Sequence, residues 1–175
     1  EEPIEYSHSD PLICQREVGI NVGSFHGGVH EAMRQSPRNI IIGEIRHPNT
    51  AEAAIQAGLT GHRVFATLHA ENIHEVVTRM FGLLDKQHDE LLPQAIQGFI
   101  CQHLVHGISG KTHCIYETLH ASPQVRSILS QGPAALPRLN HEMYQQKRKS
   151  LSEYAKSLVI SGQLQVEEIV RWTTE

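Results

Sequence analysis

The sequence predicts an α/β fold followed by a mostly helical C-terminal lobe, and three observations carry that expectation. Ile40, Ile41 and Ile42 run straight into Gly43-Glu44, the near-continuous β-branched pattern of a buried strand of parallel type. A second apolar strand, Val64 to Leu68, ends on His69, and the helix-forming string AEAAIQA lies between the two. From Ile73 onward, apolar residues recur mainly at helical spacing. Open α/β folds build their sites at the C-terminal ends of such strands, and here two strands deliver a carboxylate and an imidazole.

The elements follow in order. Residues 1–24 read as irregular or short-strand structure, with a polar turn at Ser7–Pro11. Gly27-Gly28 precede a short helix through Val29, Ala32 and Met33, broken at Ser36-Pro37. Asn39–Glu44 is a central strand. Pro48-Asn49-Thr50 starts a helix, with Asn49 or Thr50 as N-cap, and Gly58 closes it. Thr60-Gly61 turns into the strand Arg63–His69. Ile73, Val76, Val77, Met80, Phe81 and Leu84 fall on one helical face, and Leu91, Leu92, Ala95, Ile96, Phe99, Ile100 and Leu104 read as a second helical stripe. Gly107–Gly110 is a turn and Thr112–Leu119 a candidate strand. Ser122-Pro123 starts a helix through Leu129. Residues 131–140, rich in Pro, Gly and Ala, read as a linker or long loop. Two further helices run from Leu151 to Val159 and from Val166 to Val170. The expected domains are therefore an α/β part over 1–72 and a helical lobe over 73–175, with a possible linker at 131–140.

Composition bounds the function. The 175 residues are 39% hydrophobic and 19% charged, enough apolar side chain to bury a core. The formal net charge of −4 and the lack of basic runs interleaved with aromatics argue against a nucleic-acid partner. Cys14, Cys101 and Cys114 are scattered, which fits a reducing compartment better than a disulfide framework or zinc ribbon. No apolar run approaches the roughly 20 residues of a membrane span, and no signal peptide is visible. A start at Glu1-Glu2 without Met is what a piece of a longer protein would show.

Glu44 is read in two ways: a surface acid at a strand end, or an acid that polarises a water or supports Mg²⁺ beside a phosphate. His69 ends a strand of the same kind and could meet a γ-phosphate or the attacking water, whereas His62, before its strand, reads as structural or interfacial. His26/His30 and His103/His106 have spacings that would share a helical face, yet no Cys or Glu completes a zinc shell. Ser109-Gly110-Lys111-Thr112 ends like a phosphate loop but has Val105 where G-x-x-x-x-G-K-[ST] needs Gly, so Lys111 is read as a turn residue.

GEIRHPNTAEAAIQAGLTGHRVFATLHAEN resembles the secretion ATPase superfamily: the motors of type II secretion, type IV pilus retraction and type IVB (Dot/Icm-like or conjugative) systems. There a GE[IM]R segment is the Walker B motif and TGH-x-V-x-[GS]TLH the His box. Upstream, EEPIEY…QREVG looks like the family's Asp box; downstream, HASPQVRSIL and the last helices are similar to its C-terminal pattern. The resemblance implies a partial RecA-like P-loop NTPase core and an ATPase activity with ATP and Mg²⁺ as cofactors. By position, Glu44 would position or activate the attacking water, Glu5 would act beside it, and both would support Mg²⁺ through its water shell without ligating it. His69 would lie nearest the γ-phosphate. Gly43 and His62 would belong to the nucleotide-binding or interface surface. Arg16 would be the arginine that reaches a neighbour's nucleotide, with Arg46 second.

The same resemblance implies a homo-hexamer in the cytoplasm, peripheral to the bacterial inner membrane through secretion or pilus machinery. Glu2 departs from the usual Asp of the Asp box, and His106-Gly107-Ile108-Ser109 from a basic turn. No Walker A loop is present within the chain, so these residues alone are expected to be inactive. Non-catalytic assembly or docking is the alternative; a nucleic-acid translocase ranks below it.

Overall fold

The computed structural model describes residues 1–86 and 88–172. They form two compact units, each built from two stretches: Glu1–His69 with Met80–Ile96, and Ala70–Arg79 with Gln97–Glu175. The units do not divide at 72/73, because the chain after His69 contributes to both.

The first unit is a βαβ module. Helix α1 (Phe25–Met33) starts from Ser24, whose hydroxyl accepts the Gly27 N–H. Gly27-Gly28, expected before the helix, lie inside it. Strands β1 (Asn39–Ile42) and β2 (Arg63–Ala66) pair in parallel, with Asn39 opposite Arg63 and Ile42 opposite Ala66. Between them α2 (Pro48–Leu59) starts from His47 with Pro48 at its first turn, not from Asn49 or Thr50. Proline fits there because the first helical N–H groups have no partner in the helix anyway. Thr50, Ala51, Ala53, Ala54, Ile55 and Ala57 of α2 are buried. The helix continues through Gly58 to Leu59, and Gly61 (φ 95°) makes the turn into β2.

The isoleucine run is not buried on both faces as expected. Ile40 and Ile42 are 6% and 3% exposed, but Ile41 is 73% exposed and its register partner Phe65 is 53% exposed. Successive strand side chains point to opposite faces, and among the described residues the face of Ile41 and Phe65 is left uncovered.

Helix α3 (Ile73–Leu83) matches its periodicity, with Ile73, Val77, Met80 and Phe81 buried. The Asn72 side chain accepts the Glu75 N–H, and Glu75 accepts the Glu71 N–H and pairs with Arg79 at 2.7 Å. The Glu71 N–H, and then Arg79, hold the Glu75 carboxyl below its ordinary value.

The second helical stripe is corrected. Only Leu92–Ala95 is helical (α4); Gly98–His106 is strand β3, paired antiparallel with β4 (Thr112–His120) from Gly98 opposite His120 to His106 opposite Thr112. The second unit is therefore mixed α/β and not mostly helical. Phe99, Cys101 and Val105 are buried while Ile100 and Leu104 are exposed, a period of two that the pairing with β4 selects over the helical spacing. Lys111 lies in the hairpin turn, where its carbonyl accepts the Gly107 N–H at 2.8 Å and a strand follows.

Beyond the hairpin stand α5 (Pro123–Leu129), α6 (Leu139–Gln145) and α7 (Leu151–Ile160). Residues 131–140 are not a linker: Pro133–Arg138 is a 3₁₀ helix, and Ala135, Leu136 and Leu139 are buried. Strand β4 buries one carboxylate, Glu117, which accepts the first N–H of α3 (Ile73, 2.7 Å) and of α7 (Leu151, 3.2 Å). These are donors that helix starts leave unpaired.

Cys14 and Cys114 are exposed and Cys101 is buried. Burial first, and then the negative charges of Glu117, Glu71 and Glu75, push the Cys101 thiol up to about 11. Thiolate is the reactive form. Iodoacetamide at neutral pH is therefore expected to alkylate Cys14 and Cys114 and to spare Cys101 until denaturant is added, which intact-mass measurement reads directly. Among the described residues, no helix is long and apolar enough to cross a membrane.

Candidate functional site

The ends of β1 and β2 are pinned together. The Thr67 N–H donates to the Ile42 carbonyl at 3.4 Å, and the Ile45 N–H returns to the Thr67 carbonyl at 2.9 Å. The Thr67 hydroxyl donates to the Gly43 carbonyl. This clamp fixes the turn that carries Glu44. Sequence reading missed Thr67, which had counted only as a strand residue, because its role depends on where its side chain falls at the end of the pairing.

Glu44 is 14% exposed, and its Oε2 is the centre of the site. Arg46 Nε lies 2.6 Å from it and His69 Nε2 3.8 Å. The guanidinium is close but not aligned for hydrogen bonding, so among the described residues this buried oxygen has no hydrogen-bond donor. A buried oxygen without a donor calls for a reason, such as a water, an ion or a catalytic role. The Arg46 and His69 side chains are 61% and 89% exposed, so both are open to a ligand that approaches the strand ends.

Gly43 has a steric reason to be glycine. A Cβ there would come within 3.3 Å of the Glu1 Cα and 3.7 Å of the Phe25 ring. The N-terminal segment is thus laid against the Glu44 turn. It is held by the Glu1 nitrogen donating to the Arg16 carbonyl (2.9 Å), the Val18 N–H on the Glu1 carbonyl (2.9 Å), and the Ile4 N–H on Glu17 (3.2 Å). Glu5 continues this segment, exposed, and its carboxylate makes no ion pair or hydrogen bond with Glu44 among the described residues.

The structure therefore gathers Glu44, Arg46 and His69, with Gly43 beneath them. Arg16 is engaged elsewhere, 2.5 Å from Glu31 of α1. His62 turns back on α2, its Nδ1 3.3 Å from the Ala57 carbonyl and 3.4 Å from the Thr60 hydroxyl. Of the histidine pairs, His26 and His30 stack edge to face at 4.5 Å, and His103 and His106 lie in β3, three apart, where strand alternation turns them to opposite faces.

Chemically, a carboxylate ion-paired through one buried oxygen to an exposed cation, with an imidazole beside it, can accept a hydrogen bond from a water on its other oxygen and hold it in line for attack. The same acceptor suits a water of a hydrated Mg²⁺, a metal that usually keeps several waters.

The family described as type II/IV secretion system protein matches residues 1–113. The type II secretion system protein HxcR of Pseudomonas aeruginosa is 30% identical over 201 aligned positions, which cover all of this chain and 42% of that protein. A crystal structure of the pilus retraction motor PilT with bound ADP superposes with a TM-score of 0.88 at 28% identity, covering 100% of this chain and 51% of that one. The ATPase DotB of Legionella pneumophila superposes with a TM-score of 0.79 at 28% identity, covering 88% of this chain and 43% of that one. The chain spans about two fifths of the length of the curated relatives it matches.

Proposed function

The chain belongs to the type II/IV secretion system protein family, and from that premise we propose that it is the water-positioning half of a RecA-like motor ATPase. The observation that carries this reading is the buried, donorless Oε2 of Glu44 at a strand end, with Arg46 and His69 around it. Glu44 accepts a hydrogen bond from the attacking water and draws its proton as the bond to phosphorus forms. Thr67 holds the turn so that the carboxylate does not swing. His69, exposed beside Glu44, donates to a phosphate oxygen, and Arg46 holds the Glu44 carboxylate in place through its ion pair. Bound Mg²⁺ would neutralise phosphate charge, and waters of its shell would meet Glu44 and Glu5.

The uncovered face at Ile41 and Phe65, and a parallel sheet of only two strands, fit a larger sheet completed by other parts of the full-length protein. That protein would also supply the backbone N–H cradle and lysine that grip phosphates. Arg16 is assigned to the interface between subunits, where it would exchange Glu31 for a neighbour's nucleotide. His62 supports the same surface by holding the end of α2. The assembly is a cytoplasmic homo-hexamer that couples hydrolysis to pilus dynamics or substrate transfer at the inner membrane.

Turnover measurements test the division of labour. Full-length protein is expected to hydrolyse Mg-ATP, and purified residues 1–175 to show no hydrolysis above their Glu44→Ala variant. An inactive full-length protein removes the reading. Glu44-dependent turnover by residues 1–175 would show that the phosphate grip lies inside them.

A further inference from the structure

We propose that Glu52, Asp85 and His88 form a site for a divalent transition metal of the zinc class, which clips α2 to the turn after α3. The site uses none of the residues gathered around Glu44. Glu52 comes from α2; Asp85 and His88 come from one tight turn closed by the His88 N–H on the Asp85 carbonyl at 2.7 Å. That turn is anchored on each side by buried Leu84 and Leu92. One ligand atom from each of the three side chains lies within 4.8 Å of the others.

Two details point to a cation and not to a chance meeting of acids. First, His88 Nδ1 lies 3.3 Å from Glu52 Oε1, outside hydrogen-bond geometry, and is buried with no hydrogen-bond partner. The two atoms stand at ion-pair distance without a hydrogen bond, and a cation held by both would satisfy nitrogen and oxygen together. Second, Oδ1 of the next residue, Asp89, is also buried without a donor, so the same turn carries further uncompensated negative potential.

The donor set selects the metal. Calcium and magnesium prefer all-oxygen shells. One imidazole with two carboxylates suits Zn²⁺, and Co²⁺ as its spectroscopic stand-in, with water in the remaining position. Asp85 is exposed and Glu52 and His88 are each about two-thirds buried, so the site opens to solvent on one side. Metal held there would tie the helix between the two site strands to a segment more than 30 residues further along the chain.

The test is a Zn²⁺ titration of chelator-stripped protein in competition with a chromogenic chelator, together with Co²⁺ absorption spectra. Neither needs nucleotide, so the result is independent of whether the protein hydrolyses ATP. One equivalent is expected to bind, and Co²⁺ to give visible ligand-field bands. Glu52→Gln, Asp85→Asn and His88→Gln should each lower affinity about tenfold or more, since even outer-shell changes cost metal sites about 10–100-fold. Because the chain has 13 histidines, a His26→Gln/His30→Gln variant is the control, and its affinity should equal that of the parent. Zn²⁺ should raise the Tm of the parent but not of Glu52→Gln, which keeps the side-chain size and so the fold. Affinity unchanged when Glu52→Gln, Asp85→Asn and His88→Gln are combined, or lost in the His26/His30 control, overturns the site.

Discussion

Glu44→Gln in the full-length protein is expected to lower kcat for ATP hydrolysis by about 10²–10⁴-fold, the range for loss of a positioned general base, with little change in nucleotide affinity. The substitution keeps the shape and removes the charge. It replaces one of two acceptor oxygens with an amide that donates, so the carboxamide can still touch a water but cannot draw its proton. Stability should hardly move. Arg46, the partner left behind, is 61% exposed and stays solvated, so losing the pair strands no charge in the interior. The drop should therefore appear in kcat and not in KM, the signature of an interaction made in the transition state. Steady-state turnover with a separate nucleotide-binding measurement checks it. A kcat within threefold of the parent would remove Glu44 from the chemistry.

Glu117→Ala is expected to cost about 3 kcal/mol of stability. The Glu117 carboxylate is 6% exposed, and its two oxygens receive the first N–H groups of α3 and α7. Hydrogen bonds to a charged group contribute about 1.5–3 kcal/mol each, and alanine would leave both donors buried without partners. Negative charge at two helix N-termini adds a favourable dipole term that is lost with it. For a chain of this size the Tm should fall by about 6–12 °C. Glu117→Gln should fall between, because one carbonyl acceptor survives and an amide group is turned toward the other N–H. Urea unfolding gives the energies, and faster amide exchange at Ile73 and Leu151 would locate the damage. A loss below about 1 kcal/mol would mean that water replaces the carboxylate at both helix starts.

The legible parts of the fold were those with local punctuation. The isoleucine run, Pro48, Gly61 and the spacing from Ile73 to Leu84 each carry their geometry in neighbouring residues. The failure at 91–104 has a physical cause. Phe99 to Leu104 fits either period, and the choice is made by β4, which lies beyond the turn. Residues 131–140 misled through composition: Pro133 and Pro137 sit within a 3₁₀ helix, while Ala135 and Leu136 fill the core. At the site, the proximity of Glu44 and His69 could be read because each follows the end of one of two paired strands. Thr67's clamp and Arg16's engagement with Glu31 could not, because they depend on side-chain placement. Glu117 had left a trace: Ile115, Glu117 and Leu119 alternate, which put an acid on the apolar face of a strand.

The single carboxylate beneath two helix starts also sets a timetable for biosynthesis. Ile73 leaves the ribosome 44 residues before Glu117, and Leu151 follows 34 residues after it. At about 5–20 residues per second, α3 waits some seconds for its anchor, and the anchor waits about 2–7 s more for α7. During that interval a charged side chain destined for the interior has only one of its two protein donors. The second unit thus closes only once Leu151 has been made, and until then Glu117 is best served by staying in water.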